Sequence, residues 1–78
     1  MLSQEIKNDV SFAIRLICEC GENRSDILSK LCTRARFIAV DCLNKATDET
    51  LKLGFSAGSQ GYRTKRAELA MRNASAAQ

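Results

Sequence analysis

The sequence predicts an all-α protein: a compact bundle of four helices ending in a helix-turn-helix. Three observations predict it. Proline is absent from the 78 residues, and only four glycines occur, so long helices meet no breaker outside Gly21 and the cluster Gly54, Gly58 and Gly61. Apolar residues recur three and four positions apart over most of the chain. No run alternates apolar with polar residues as a half-buried strand would. The length fits one domain, residues 1–78, near the lower end of what folds alone.

The first helix is expected over 4–20. Ser3 is a suitable N-cap, Glu5 suits a first turn, and Ile6, Val10, Ala13, Ile14, Ile17 and Cys20 make an apolar stripe that Phe12 and Leu16 widen. Gly21 ends it. Ser25 caps a second helix over 26–45, whose inward face carries Ile27, Leu28, Leu31, Ala35, Ile38, Ala39, Cys42 and Ala46. Leu31, Ile38 and Cys42 should be buried, with Phe37 and Val40 off that face. Thr47, followed by Asp48 and Glu49, reads as the N-cap of a short third helix over 48–54. Residues 54–58 form a turn, and Ser59 caps a fourth helix over 60–73 whose thin apolar side is Tyr62, Leu69 and Ala70. Residues 74–78 are small and polar and are expected to fray.

Composition narrows the function. There is no histidine, which removes the usual acid–base group at neutral pH, the commonest metal ligand and every serine–histidine or cysteine–histidine nucleophile pair. An enzyme is not expected, and neither is a cofactor. Cys18, Cys20, Cys32 and Cys42 match no zinc spacing. Cys18 and Cys20 would point apart on a helix, so the four are expected to be free thiols and no metal is expected. No segment is long and apolar enough to span a bilayer, and Met1–Asn8 does not look like a signal peptide, so a cytoplasmic setting is expected, with no membrane partner.

The net charge of +3 is not spread evenly. Residues 1–55 hold eight bases and eight acids, whereas residues 56–78 hold Arg63, Lys65, Arg66 and Arg72 against Glu68 alone. A local basic cluster points to nucleic acid or an acidic partner. Residues 47–69 also have a helix-turn-helix outline, in which a short helix props a basic one outward into a major groove. Ser59, Gln60, Arg63, Thr64 and Arg66 are of types that hydrogen-bond bases or phosphates, with Arg63 and Arg66 expected one turn apart on the exposed side. Lys65, Arg72 and Arg34 add charge for backbone phosphates. Tyr62 reads as a partly buried anchor.

Asp26-Ile-Leu-Ser-Lys30, then Ala35-Arg-Phe-Ile-Ala-Val-Asp-Cys-Leu43, then Thr47 resembles the C-terminal DNA-binding domain of the bacterial replication initiator DnaA. Thr33-Arg-Ala-Arg36 and the Leu53-Gly54 turn are similar to the related Trp repressor family. The resemblance covers about residues 26–66 and implies an all-helical fold whose last helix reads the major groove of double-stranded DNA. The chain departs from the initiator pattern where the basic loop is shortened, with Arg34 standing in for it, and where Gln60-Gly-Tyr-Arg-Thr64 replaces the base-reading motif. Base specificity therefore does not carry over, nor does a tryptophan pocket, and these residues hold no ATPase domain.

Two functions follow as expectations. One is a small DNA-binding regulator of transcription, acting as a homodimer. The other is a protein-interaction module, an inhibitor, antirepressor or adaptor that binds a larger protein through Phe37, Val40 and Phe55.

Overall fold

The computed structural model describes residues 3–76, and among them it is helical without a strand. Four helices follow one another: α1 (Gln4–Cys18), α2 (Arg24–Ser29), α3 (Thr33–Lys52) and α4 (Gln60–Ala76). The all-α class and the count of four stand, but two of the expected helices are partitioned differently.

α1 begins as its sequence predicts, with the Ser3 hydroxyl accepting from the Ile6 N–H at 3.2 Å. It stops at Cys18, so Cys20 leaves the apolar stripe and is exposed. Gly21 adopts a left-handed φ of 71°, and the Glu22 N–H donates to the Leu16 carbonyl to close the turn.

The helix expected over 26–45 is broken. α2 is a short helix capped by Asn23, not Ser25; the Asn23 side chain accepts from the Asp26 N–H at 3.0 Å. Its end tightens, with Lys30 and Leu31 bonding three residues back to the Ile27 and Leu28 carbonyls. Arg36 then adds donors to the carbonyls at this end, its Nε to Leu28 at 3.0 Å and its Nη2 to Leu31 at 3.2 Å. The apolar spacing runs across this break unchanged, which is why periodicity alone reads one helix.

The helix expected over 48–54 does not exist separately, so the short helix expected to prop the basic one in a helix-turn-helix is absent among the described residues, and Thr47 is not an N-cap. α3 runs through it, with the Thr47 and Thr50 hydroxyls donating back to the Leu43 and Ala46 carbonyls. These threonines thereby meet their own hydrogen-bonding need inside a helix. α3 ends at the left-handed Gly54 (φ 87°), where the sequence placed a helix end. α4 is capped by Ser59 as expected, the hydroxyl accepting from the Tyr62 N–H at 3.0 Å. It continues to Ala76 and buries Ala74, so the fraying expected from residue 74 is replaced by helix. Ala77 and Gln78 lie outside the described residues.

The core joins Val10, Ile14 and Cys18 of α1 and Leu28 of α2 with the α3 face Ala35, Ala39, Cys42, Leu43 and Ala46. α4 contributes Ala67, Leu69, Ala70 and Ala74. Cys42 is buried as expected, but Leu31 and Ile38 are only half-buried at the edge of this cluster. α3 is rotated so that Leu43 and Thr50, neither of them on the expected face, are sealed from solvent. α3 and α4 share the most extensive contact, where alanines on both helices permit close approach. α1 and α4 run antiparallel. Gln4, Lys7 and Ser11 neighbour Ala74 and Ser75 at one end, and Ile17 and Cys18 neighbour Tyr62, Arg63 and Arg66 at the other.

Candidate nucleic-acid interface

The candidate surface is the N-terminal half of α4 and the segment that delivers it. The chain leaves α3 at Leu53, turns at Gly54 and Gly58, both left-handed, and enters α4 through the Ser59 cap. The Phe55 ring lies over Gly61 so closely that an added Cβ would sit 2.8 Å from ring carbon Cε1. Gly61, near the start of α4, thus has a packing role: it seats the loop on the helix that follows. Tyr62, the next residue, is buried and anchors the first turn from the inside.

On the outer side, Gln60, Thr64 and Glu68 are four residues apart and form one exposed stripe. Arg63 is exposed beside that stripe, toward α1. Arg66 does not stand with it on the open face. It is half-buried, its guanidinium lies 5.9 Å from the Tyr62 ring centroid, and its Nε is buried without a hydrogen-bond partner. The two arginines meet instead in a cleft of about 180 Å³ that they line with Ile17, Cys18, Gly21, Gly58 and Tyr62.

The remaining bases are engaged elsewhere. Lys65 faces Glu68 at 3.7 Å, and Arg72 reaches Glu49 on α3 at 3.4 Å. Both are exposed ion pairs and bind weakly, but they partly cancel the charge on that side of α4. Arg34 is exposed on the first turn of α3, and no interaction among the described residues joins it to α4. The basic cluster of the sequence is therefore sorted by the fold: Arg63 and Arg66 lie toward α1 without an ion pair, whereas Lys65 is paired within α4 and Arg72 with α3.

The candidate partner residues also divide. Phe37 is 73% exposed. Val40 is half-buried and packs on the core. Phe55 is at the margin of exposure, occupied by Gly61. Phe12, expected to widen the apolar stripe of α1, and Leu51 and Leu53, expected to be partly buried by the short third helix, are instead exposed.

All four cysteines are unpaired thiols. Burial pushes the Cys18 thiol above its ordinary value against the opposing pull of the Arg66 guanidinium, and burial with the nearby Asp41 carboxylate does the same for Cys42. No group of three or more cysteine, aspartate or glutamate side chains able to hold a metal occurs among the described residues. No helix among them is long and apolar enough to cross a membrane.

Sequence reasoning missed the α1 side of this site: Cys18, Glu19 and Gly21 come to Arg63 and Arg66 only through the antiparallel packing of α1 on α4. The left-handed glycines were the one local signal available. Compared with protein-family models, with curated proteins and with solved structures, the chain shows no significant match.

Proposed function

We propose that this protein binds double-stranded DNA through the first two turns of α4 and acts as a small regulator of transcription rather than as a catalyst. The observation that supports it is the joint exposure of Gln60, Arg63 and Thr64 on the first two turns of a helix anchored from below by Tyr62. Gln60 and Thr64 point outward and suit base edges, glutamine pairing with adenine and threonine with a base or its methyl. Arg63 and Arg66 supply unpaired positive charge for the backbone, reinforced by the partial charge of the helix start. Ser59 is committed to capping and acts by holding that turn. Lys65 and Arg72 contribute when the duplex displaces their weak carboxylate partners, and Arg34 adds only long-range attraction. Glu68 bounds the surface, because its carboxylate repels phosphates beyond the second turn. The setting that fits is cytoplasmic, where thiols stay reduced, and a homodimer would double the contact and match a two-fold site.

The test is fluorescence anisotropy of labelled duplexes of pooled random sequence across a salt series. Binding that weakens steeply with salt supports the proposal; its absence at low salt removes it. A second reading, an interaction module for a larger protein, is favoured by one observation, the large exposure of Phe37 together with Phe12, Leu51 and Leu53. Under that reading Phe37→Ser abolishes capture of the partner and leaves DNA irrelevant.

A further inference from the structure

The cleft between the end of α1 and the start of α4 has a chemistry that DNA binding by an exposed helix does not require. It brings two guanidiniums, Arg63 and Arg66, to one concavity, and neither makes a hydrogen bond or ion pair among the described residues. Arg66 is the telling one. Its Nε is sealed from solvent yet has no acceptor. A buried charged donor without an acceptor is costly, and native proteins rarely tolerate one unless a ligand or ion completes it.

The walls favour a small anion. The volume of about 180 Å³ is several times the roughly 30 Å³ that a water molecule takes up in the liquid. Gly21 and Gly58 leave its edges open: a Cβ built on either meets nothing within 4 Å. Both have a left-handed φ, at 71° and 87°, which disfavours any side chain that would fill that space. The buried Cys18 thiol stays neutral near pH 7, since burial raises its pKa, and so does not repel an anion. The opposing group is Glu19, which lines the adjoining cleft with Arg63, Gln60 and Thr64 without forming an ion pair to Arg63.

We infer that this cleft is an oxyanion site in which Arg66, assisted by Arg63, holds a phosphate group. The planar fork of a guanidinium matches phosphate oxygens, and the Arg66 guanidinium lines this cleft with no hydrogen-bond acceptor of its own. Two sources can supply that group, a backbone phosphodiester of nucleic acid or free inorganic phosphate. The first source rests on the DNA-binding reading; the site itself does not. In the first case Arg66 is a positioning contact that fixes register on the duplex and reads no base.

The experiment follows the arginine Nε–H signals of the full chain by NMR. In one arm inorganic phosphate is titrated in, against chloride at equal ionic strength; in the other, a short duplex at low salt. The expected result is a saturable shift of the Arg66 Nε–H with phosphate and not with chloride. Arg66→Gln should weaken phosphate binding by about tenfold or more, as loss of a charge-assisted hydrogen bond implies. Glu19→Gln should tighten it by roughly two- to fivefold, as removal of a nearby like charge implies. Glu19→Gln also keeps the proposal testable if Arg66→Gln does not fold. A matching Arg66 shift with duplex identifies the nucleic-acid backbone as the source. A shift with phosphate but not duplex keeps the site and removes the DNA-binding reading. Duplex binding that leaves the Arg66 signal unmoved, with no response to phosphate, keeps the DNA-binding reading and overturns the site. No saturable response to phosphate, or one that Arg66→Gln and Glu19→Gln both leave unchanged, overturns it as well.

Discussion

Arg36 shows how a charged side chain can be spent on architecture. Its side chain donates to the carbonyls of Leu28 and Leu31 and, more distantly, Ser29, at the break between α2 and α3. Arg36→Ala should lower stability by about 1–2 kcal/mol, the value of charged hydrogen bonds to carbonyls discounted for a partly exposed site. Chemical denaturation checks this, and an unchanged midpoint would show the contacts to be idle. Burial separates Leu43 from Ile38 on the same helix: Leu43 is fully enclosed and Ile38 lies at the edge. Leu43→Ala should therefore cost about 2–5 kcal/mol and Ile38→Ala clearly less, a ranking opposite to the one periodicity gives. The thiols make a third comparison. Cys18 and Cys42 are buried and their pKa values are raised, so folding favours their neutral forms. That contribution is complete below the ordinary thiol value of 9.0 and is lost as pH rises through and beyond it, because the unfolded chain ionises first. Stability should thus decline on the alkaline side of that value, and replacing both residues with Ala should flatten the decline. At neutral pH an alkylating reagent should label Cys20 and Cys32 well before Cys18 and Cys42, as mass spectrometry can resolve.

At the level of the helices, capping residues and glycines proved the most legible signals, and polar residues inside helices the least. Ser3, Ser59, Gly21 and Gly54 mark ends where the sequence places them, because each supplies a local hydrogen bond or a left-handed turn that needs no tertiary partner. Thr47 offers the same local signal and misleads, since a threonine hydroxyl is satisfied equally well by a carbonyl one turn back. The α2–α3 break is invisible to periodicity because Leu28, Leu31 and Ala35 keep helical spacing across it. What ends α2 is a set of tertiary donors from Arg36, which no local rule reveals. The same holds for the candidate site. The α4 side, Gln60, Arg63, Thr64 and Arg66, is readable from residue type, whereas the inward turn of Arg66 and the α1 wall depend on how two distant segments pack. Gly61 tests the seating of the loop. Gly61→Ala gains about 1 kcal/mol of helix propensity but pushes on the Phe55 ring, which is half-exposed and can swing away. Stability should stay within about 1 kcal/mol of wild type while Phe55 loses its contact, seen as a shift of its ring resonances toward solvent-exposed values. A large loss of stability would mean that the Phe55 contact holds the loop far more firmly than this packing implies.

Over the whole molecule, the fold converts a linear excess of basic residues into an oriented one. Arg72 is paired with Glu49 of α3 and Lys65 with Glu68 on α4 itself, while Arg63 and Arg66 line a cleft against α1 without an ion pair. The consequence for a DNA-binding protein is that two arginines, not four bases, dominate the salt dependence. Arg63→Ala and Arg66→Ala should each reduce the magnitude of the slope of log K against log salt by about one, and Lys65→Ala and Arg72→Ala by distinctly less. Gln60→Ala should spare binding to random duplex and weaken only a preferred site, by about 1–3 kcal/mol. The most direct measurement is wild-type binding to pooled duplexes from ~50 mM salt upward, where counterion release favours even non-specific contact, beside the Arg63→Ala/Arg66→Ala double variant. The account predicts salt-dependent binding by wild type whose slope the double variant reduces by about two. Wild type that shows no salt-dependent binding at the lowest salt, or a double variant that binds as wild type does, would contradict it.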